Sequence, residues 1–168
     1  VCGASTRPST IGYNICKNFV DKFEGKLYPI NPKGGSIGDQ KFYTSADELP
    51  NNEVECGVIC TGANQAVSDV EALLSKGVKS IIVIAGGFAE QDEEGAVMQE
   101  KMVKMCEDAG ARLIGPNGMG IIDNKNGIDT MFLDDTFVIP AAGPLSVITQ
   151  SGALGVSLLN VMSNRSEE

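Results

Sequence analysis

The chain has 168 residues, 42% of them apolar, which is enough to bury one hydrophobic core and the beginning of another domain. Its formal net charge of −9 argues against broad binding to nucleic acid or to an anionic membrane, because both require a basic face. No uninterrupted apolar run approaches the ~20 residues of a membrane helix, and no signal peptide is visible, so a cytoplasmic protein is predicted.

The first element is VCGASTRPSTIG, a glycine-bearing turn of the kind that follows a buried strand in nucleotide-binding βαβ units. Only Val1 and Cys2 precede this turn, so we expect a fragment whose first strand is truncated. Apolar residues then recur at helical spacing from Ile11 to Phe23, which predicts an amphipathic helix behind the turn.

Short apolar runs alternate with helical patterns over the next part of the chain. The runs KLYPI, ECGVIC, KSIIVIA and ARLIG predict strands. One predicted helix carries Val67, Val70, Leu73 and Leu74 and ends at Lys76-Gly77. A longer helix is predicted from about Asp92 to Ala109 and is ended by Gly110, and its inward stripe is read as core packing: Met98, Met102, Met105 and Ala109.

This alternation predicts an α/β fold with a doubly wound parallel sheet, a Rossmann-like domain. Ligands of such folds bind at the carboxyl ends of the strands. The unusual residues of this chain follow the predicted strands, as GAS, NPK, TGAN, AGGFAE and GPNGMG. We therefore expect a ligand site along that single edge of the sheet.

The last part of the chain predicts an end to this sheet and a new beginning. Ile121 and Ile122, with the later segment TFVIP, predict a hairpin-like end, and residues 140–144 predict a linker. The stretch LSVITQSGALGVSLLNVM then repeats the order of strand, tight glycine turn and helix. We expect residues 1–141 to form the Rossmann-like domain and residues 142–168 to form the truncated start of a second α/β domain.

The five cysteines are scattered without a CxxC pair, and the chain contains no histidine. This argues against a zinc site or a disulfide framework and removes the commonest general base, so neither metal ligands nor catalytic residues are assigned. Buried, reduced thiols are expected. Cys56 and Cys60 lie four residues apart in a predicted strand, which would place both on one face of the sheet as small core residues.

The first turn departs from the dinucleotide fingerprint GxGxxG, which is followed by an acidic residue at the end of the next strand. Gly3-Ala4-Ser5 lacks the second glycine, and the next strand is followed by Asn31-Pro32-Lys33. A cation at that place, with Arg7 in the first turn, favours a ligand with phosphate near the adenosine ribose, such as NADP or coenzyme A, over NAD. The alternative is that Lys33 is a solvated loop charge.

Five stretches together resemble a family, the CoA-binding domain of NDP-forming (ADP-forming) acyl-CoA synthetases, and are similar also to the α subunit of succinyl-CoA synthetase. They are GASTRPSTIG, YPINPK, AGGFAE, IGPNGMGII and ITQSGALG, and they follow the family's order across nearly the whole chain. The resemblance implies a Rossmann-like CoA-binding domain followed by the start of a flavodoxin-like domain.

The resemblance also implies a binding site. In the family the first turn lies against the CoA diphosphate or ribose phosphate, the lysine of NPK meets a CoA phosphate, and the amide of GPN lies near the thiol end. The residues carried over for CoA are Gly3, Ser5, Arg7, Gly12, Asn31, Pro32, Lys33, Thr61, Gly86, Gly87 and Asn117. The start of the last helix would face the phosphate of a phosphohistidine, and its residues are Gln150, Ser151, Gly152 and Ala153. Many relatives carry cysteine where Gly118 stands, so no cysteine role is carried over.

These positions also have purely structural interpretations. Gly3 and Gly12 could serve a tight turn and close helix packing, and Asn117 could be a turn residue. Asn64 is expected to cap the helix that follows TGAN, and Ser151 could be an ordinary N-cap. The residue Glu90, before the long helix, is expected to serve that helix's dipole.

The resemblance implies a reaction that this chain can serve only in part. In the family, acyl-CoA and phosphate give an acyl phosphate and CoA, and the phosphoryl group passes through a histidine to ADP. The implied cofactor of this chain is coenzyme A, with ATP or ADP and Mg bound elsewhere in the full-length protein. The implied partners are the remaining domains or a β-type subunit with an ATP-grasp fold, in an oligomer. We expect the isolated chain to bind CoA without turnover.

Two other classes remain open from the sequence. The chain could be a CoA-binding regulatory region of a protein acetyltransferase. It could also be a Rossmann domain that senses a dinucleotide.

Overall fold

The computed structural model describes residues 1–133 and 137–165. Its helices are α1 (Ile11–Lys22), α2 (Ala63–Ser75), α3 (Glu93–Asp108) and α4 (Gly152–Arg165), with a short 3₁₀ turn at Ala46–Glu48. Its strands are β1 (Ser36–Ile37), β2 (Gln40–Lys41), β3 (Cys56–Ile59), β4 (Ser80–Val83), β5 (Arg112–Ile114), β6 (Ile122–Asp123) and β7 (Ile128–Asp129).

The central sheet is parallel. Strand β4 pairs in parallel with β3 on one side and with β5 on the other. Single parallel bridges extend the sheet beyond β3, from Ile59 to Cys2, from Cys2 to Ile30 and from Ile30 to Tyr43. The spatial order is therefore Tyr43, Ile30, Cys2, β3, β4, β5. The chain first moves outward from Cys2 through Ile30 to Tyr43. It then returns to the other side of Cys2 and moves outward through β3, β4 and β5, which confirms the doubly wound arrangement.

Apolar side chains leave the strands on both faces of the sheet, so each face needs a helical cover. Val58 and Ile82 pack on the face of α1, against Ile15 and Phe19. The neighbouring strand residues point to the other face and pack with α2 and α3, in a cluster that includes Ile59, Ile81, Val83, Val70 and Met102. The two-residue alternation of the strands thus divides the core between the two helical layers.

The helices follow the predictions closely. Helix α2 ends at Ser75 with Lys76 as its C-cap, and the next residue, Gly77, has a φ of +88°, the left-handed conformation that favours glycine. Helix α3 is capped by Asp92, which accepts a 2.8 Å hydrogen bond from the backbone N–H of Gly95. Met102, the centre of the predicted methionine stripe, is fully buried, which confirms its role in packing.

The predicted hairpin forms, but its second strand was misplaced. Strand β6 pairs antiparallel with β7, while TFVIP forms no strand at residues 137–140, and its Thr136 lies outside the described residues. The polar stretch pairs instead because Ile128 packs on the α1 face and Asp129, almost buried, accepts a 2.9 Å hydrogen bond from Lys22 Nζ.

Two other strand predictions were too long or wrong. KLYPI contributes only the bridge at Ile30. Residues 145–149 of LSVIT form no strand, and Ile148 is 101% exposed, so this segment lacks the neighbouring chain that a strand needs for its hydrogen bonds.

The cysteines are free thiols, as predicted, but not all of them are buried. Cys2, Cys16 and Cys106 are buried and Cys60 is half-buried. Cys56 is exposed, contrary to prediction, because it stands at the first position of β3, at the end of the strand opposite the loop that follows it. Within the part of the chain described here, none of the helices combines the length and apolar character needed to cross a membrane.

Candidate functional site

The loops after the first two strand segments are joined by one side chain. The Asn31 amide nitrogen donates a 2.7 Å hydrogen bond to the carbonyl oxygen of Ala4. The Asn31 side-chain oxygen accepts a 2.9 Å bond from the backbone N–H of Lys33. The two loops also touch at Gly35, where a Cβ atom would lie 2.7 Å from the Thr6 methyl group. Lys33 is therefore held beside the opening turn.

The opening turn packs tightly on α1 and on the loop after β3. Gly3 has a φ of +83°, and a Cβ there would lie 3.1 Å from the backbone nitrogen of Thr61. A Cβ at Gly12 would overlap the carbonyl oxygen of Gly3, so only glycine lets α1 approach the turn. The structural interpretation of Gly3 and Gly12 is thus confirmed, and it is compatible with a ligand beside the turn.

The loop after β3 is fixed by a side chain of α2. The Thr61 hydroxyl donates a 2.6 Å hydrogen bond to Asp69, which also accepts a 3.1 Å bond from the Gln65 amide. The predicted cap at Asn64 is wrong: the N-cap of α2 is Gly62, and no side chain caps this helix. The N–H groups of Gln65 and Ala66 are bonded to the Gly62 carbonyl oxygen, and within the described residues no side chain caps this helix start.

The loops after β4 and β5 meet at Gly86. A Cβ there would lie 3.2 Å from the Asn117 side-chain oxygen and 3.1 Å from Glu90 Oε1. Asn117 adopts a φ of +56° and donates its backbone N–H to the carbonyl oxygen of Ala85 at 2.8 Å. Asn117 is thus a turn residue whose side chain also faces the neighbouring loop.

Glu90 is bonded to its own loop, and its predicted interaction with the dipole of α3 stays a prediction. Its carboxylate accepts hydrogen bonds from the backbone N–H groups of Gly87, at 2.7 Å, and Phe88, at 3.3 Å. The bond from Gly87 is the main cause that lowers the pKa of Glu90 below its ordinary value, so the carboxylate is ionised at neutral pH.

A cleft of about 490 Å³ opens between the starts of α2 and α3. Its lining includes Gly86 and Gly87 from the predicted site, together with Gly62, Ala63, Asn64, Gln65, Gln91, Asp92, Glu94 and Met98. Gln65 and Gln91 belong to none of the predicted site motifs, and Met98, predicted as part of the core stripe of α3, lines the cleft as well as packing against the core. The sequence signal of the two glutamines is that they lie close to a loop at this edge of the sheet.

Positive groups lie at the other end of the same edge. Arg7 and Lys33 are exposed, and neither forms an ion pair within residues 1–133 and 137–165. The N-cap of α1 is Thr10, whose side chain does not cap the helix, and the first turn holds no acidic residue. Two cations and the open N–H groups of a helix start can therefore receive an anion there. Ser5 accepts a 3.1 Å hydrogen bond from the Arg7 backbone N–H and lies in the same turn.

The start of α4 lies against the loop after β5. A Cβ at Gly152 would approach the Met119 side chain at 2.7 Å. Ser151 accepts a 3.3 Å hydrogen bond from the backbone N–H of Leu154, so it is an N-cap, as its structural interpretation predicts. Gln150 and Ala153 are both exposed beside it.

All five predicted loops therefore line one edge of the sheet in an unbroken series of contacts. The series begins with the bond between Asn31 and Ala4 and continues from Gly3 to Thr61. Gly87 then approaches Ala63, whose Cβ atom would lie 3.4 Å from a Cβ at Gly87. The series ends where Gly86 meets Asn117. Pro32 is exposed between Asn31 and Lys33. The contact of each residue with a ligand remains a prediction. Among the residues described, no group of three potential metal ligands is close enough to hold an ion.

Comparison with known proteins identifies what this chain resembles as a whole. A family model described as a CoA binding domain matches residues 1–124. The α subunit of ADP-forming acetate–CoA ligase I from Pyrococcus furiosus is 40% identical over 164 residues, which are 95% of this chain and 35% of that protein. The ADP-forming 4-hydroxybutyrate–CoA ligase of Nitrosopumilus maritimus is 30% identical over 161 residues, 95% of this chain and 22% of that protein.

Solved structures agree with these matches. Dinucleotide-forming acetyl-coenzyme A synthetase 1 of Ca. Korarchaeum cryptofilum, in complex with phosphate and ADP, superposes with a TM-score of 0.86 and 31% identity, over 98% of this chain and 34% of that one. PH0766 of Pyrococcus horikoshii superposes with a TM-score of 0.88 and 30% identity, over 98% and 37%. The chain spans about a third of the length of the first relatives it matches.

Proposed function

The chain belongs to the CoA-binding domain family, and we propose that it is the CoA-binding part of an ADP-forming acyl-CoA synthetase. The whole reaction would interconvert acyl-CoA, ADP and phosphate with acid, CoA and ATP. The two ligases cited above act, by their names, on different carboxylic acids, acetate and 4-hydroxybutyrate. They support a synthetase over the regulatory region of an acetyltransferase.

One observation carries the proposal: the cations and the glycine loops occupy opposite ends of the same continuous edge. CoA has the matching polarity, with phosphates at one end and a thin, uncharged thiol-bearing arm at the other. We propose that Ser5, Arg7 and Lys33, with the turn of Gly3 and Gly12, hold the phosphates. Asn31 and Pro32 would shape that end.

The arm would then follow the remaining loops toward Asn117. Gly86 and Gly87 lack side chains at the place where a thin chain must pass close to the backbone. Thr61 would contribute through its backbone, because its hydroxyl proton is already bonded to Asp69. The Asn117 amide faces Gly86 and would lie beside the thiol or thioester.

The last segment would belong to a second domain. Residues 1–141 would form the CoA-binding domain and residues 142–168 the start of the next one. This division is supported by exposed apolar side chains that precede and begin α4 in the sequence, among them Leu145, Ile148 and Leu154. Gln150, Ser151, Gly152 and Ala153 would present backbone N–H groups to the phosphate of a phosphohistidine.

The rest of the chemistry would come from other parts of the protein. The chain has no histidine, so the phosphoryl carrier would lie in another domain or subunit. ATP or ADP with Mg would be held by an ATP-grasp region of the remaining domains or of a β-type partner, in a cytoplasmic oligomer. What this chain's residues contribute is the binding and orientation of the thioester.

Isothermal titration of the 168-residue chain tests the proposal. CoA should bind, and NADH and NADPH should bind more weakly than CoA. Tighter binding of either dinucleotide would instead favour a dinucleotide sensor. Acyl-CoA-dependent ATP formation should be absent with the isolated chain, and turnover there would contradict the assignment of the phosphohistidine to another part of the protein.

A further inference from the structure

Glu90 is the last residue of the AGGFAE stretch, and its carboxylate is hydrogen-bonded within its own loop. It is an exposed residue of the loop between β4 and α3, and its side chain folds back on that loop. The carboxylate accepts hydrogen bonds from two consecutive backbone N–H groups, those of Gly87 and Phe88, at 2.7 and 3.3 Å. Bonds from two N–H groups to a charged acceptor are stronger than neutral ones and fix the shape of a short loop.

The helix that follows does not need Glu90. Asp92 already caps α3 through the N–H of Gly95, and Glu93 and Glu94 supply negative charge in its first turn. Within the described residues, the hydrogen bonds of the Glu90 carboxylate go to the N–H groups of its own loop.

The loop shape that Glu90 fixes is an unusual one. Gly87 has a φ of +96°, a left-handed conformation, and Gly86 lies between Glu90 Oε1 and the Asn117 side-chain oxygen, 3.1 and 3.2 Å from the place of a Cβ. Both glycines line the cleft between α2 and α3. Releasing the carboxylate would free the loop to move into the path along Gly86 and Gly87.

We propose that Glu90 is a positioning residue, which holds the Gly86–Phe88 loop open so that the thiol-bearing arm of CoA can pass beside Asn117. This inference rests on the proposed function, because the arm is what the loop would admit. Glu90 would act only on the arm, since the cations that would receive the phosphates lie at the other end of the edge. Its role is not acid catalysis: the hydrogen bonds that lower its pKa keep it ionised, without a proton to donate.

The experiment compares two ligands on three chains. Isothermal titration measures the affinities of CoA and of adenosine 3′,5′-bisphosphate, which has the phosphorylated nucleotide end but no arm. The chains are the parent, Glu90→Gln and the matched control Glu93→Gln, which removes the same charge from an exposed position in the first turn of α3. Glu90→Ala removes both acceptor oxygens.

We expect Glu90→Gln to lower the affinity for CoA about tenfold, the effect of losing a charge-assisted bond, and Glu90→Ala to lower it at least as much. The affinity for the bisphosphate should stay within about twofold, and Glu93→Gln should change neither. Retained CoA affinity in both Glu90 variants would overturn the proposal. So would an equal loss for both ligands, because it would indicate a general structural role. If the parent chain binds neither ligand, the proposed function itself fails.

Discussion

Asn31 is joined to Ala4 by a 2.7 Å hydrogen bond from its amide nitrogen to the Ala4 carbonyl oxygen. The same side chain accepts the N–H of Lys33 at 2.9 Å. One amide group thus links the two loops that carry the positive charges and sets the distance between them. An aspartate could accept the second bond but could not donate the first.

Asn31→Asp should therefore weaken both the loop connection and the binding of CoA. We expect the free energy of CoA binding to become less favourable by about 1 to 3 kcal/mol, since a donor is lost and a negative charge is placed near the phosphates. Isothermal titration gives the affinity. Asn51→Asp, the same change on an exposed turn, is the control. Equal affinity in Asn31→Asp and the parent would remove Asn31 from the site.

Gly12→Ala should destabilise the fold, because the new methyl group would overlap the carbonyl oxygen of Gly3. Forcing an extra methyl into such a contact costs about 1 to 3 kcal/mol. Urea denaturation measures the free energy of unfolding. Gly143→Ala is the control, since a Cβ at Gly143 meets no atom within 4 Å. A loss no larger than that of the control would show that α1 can move away from the turn.

Lys33→Glu should weaken the binding of CoA by about 1 to 3 kcal/mol of binding free energy, the range for a charge-assisted hydrogen bond. The effect should differ for dephospho-CoA, which lacks the phosphate on the ribose. Lys41→Glu changes the net charge equally at another exposed position and should alter the affinity little. If Lys33→Glu and the parent bind CoA equally, Lys33 is a solvated charge.

Thr61→Val should lower stability more than it lowers CoA affinity. The valine cannot donate to Asp69, and losing a hydrogen bond to a carboxylate costs about 1 to 3 kcal/mol of unfolding free energy. Thr61→Ser keeps the hydroxyl and serves as the control. Chemical denaturation and titration with CoA give the two quantities. A large loss of affinity with unchanged stability would indicate that the hydroxyl binds the ligand instead.

The thiols should differ sharply in reactivity. Burial raises the pKa of Cys2 and Cys16 to about 11 and that of Cys60 to about 12. Desolvation also raises the pKa of the Cys56 thiol, but Cys56 is exposed, whereas Cys2 and Cys16 are buried and Cys60 is half-buried. Because the reagent must reach the sulfur atom, iodoacetamide at pH 8 should modify the exposed Cys56 first. Mass spectrometry of the native chain over time tests this, with the unfolded chain as control. Fast labelling of Cys60 would show that its strand end opens in solution.

Predictions made from the helical spacing of apolar residues, and from the residues that end a helix, were correct for most of the helices. The Met102 stripe and the glycines at 77 and 110 placed α2 and α3 within a residue or two, because these signals depend only on local geometry. Asn64 shows the limit of such reasoning: an asparagine near a helix start looks like a cap, yet the chain enters the helix two residues earlier, at Gly62.

The strand predictions failed where pairing decided the outcome. The segments LSVIT and TFVIP are as apolar as true strands, whereas the hairpin used Ile128–Asp129 from a polar stretch. Asp129 looks unsuited to a sheet in the sequence. It is acceptable in the structure because Lys22 of α1 lies 2.9 Å away to pair with it.

The sequence by itself determined the fold class, the edge of the sheet that carries the loops and the sign of the charge there, because these depend on periodicity and on the order of residues along the chain. Only the tertiary structure decided which loops touch, that Gly12 must stay small and that Glu90 turns back on its own loop. The loop contacts depend on segments far apart in the chain, whereas the Gly12 and Glu90 contacts depend on how the backbone turns over a few residues. The periodicity of the sequence encodes neither kind of distance.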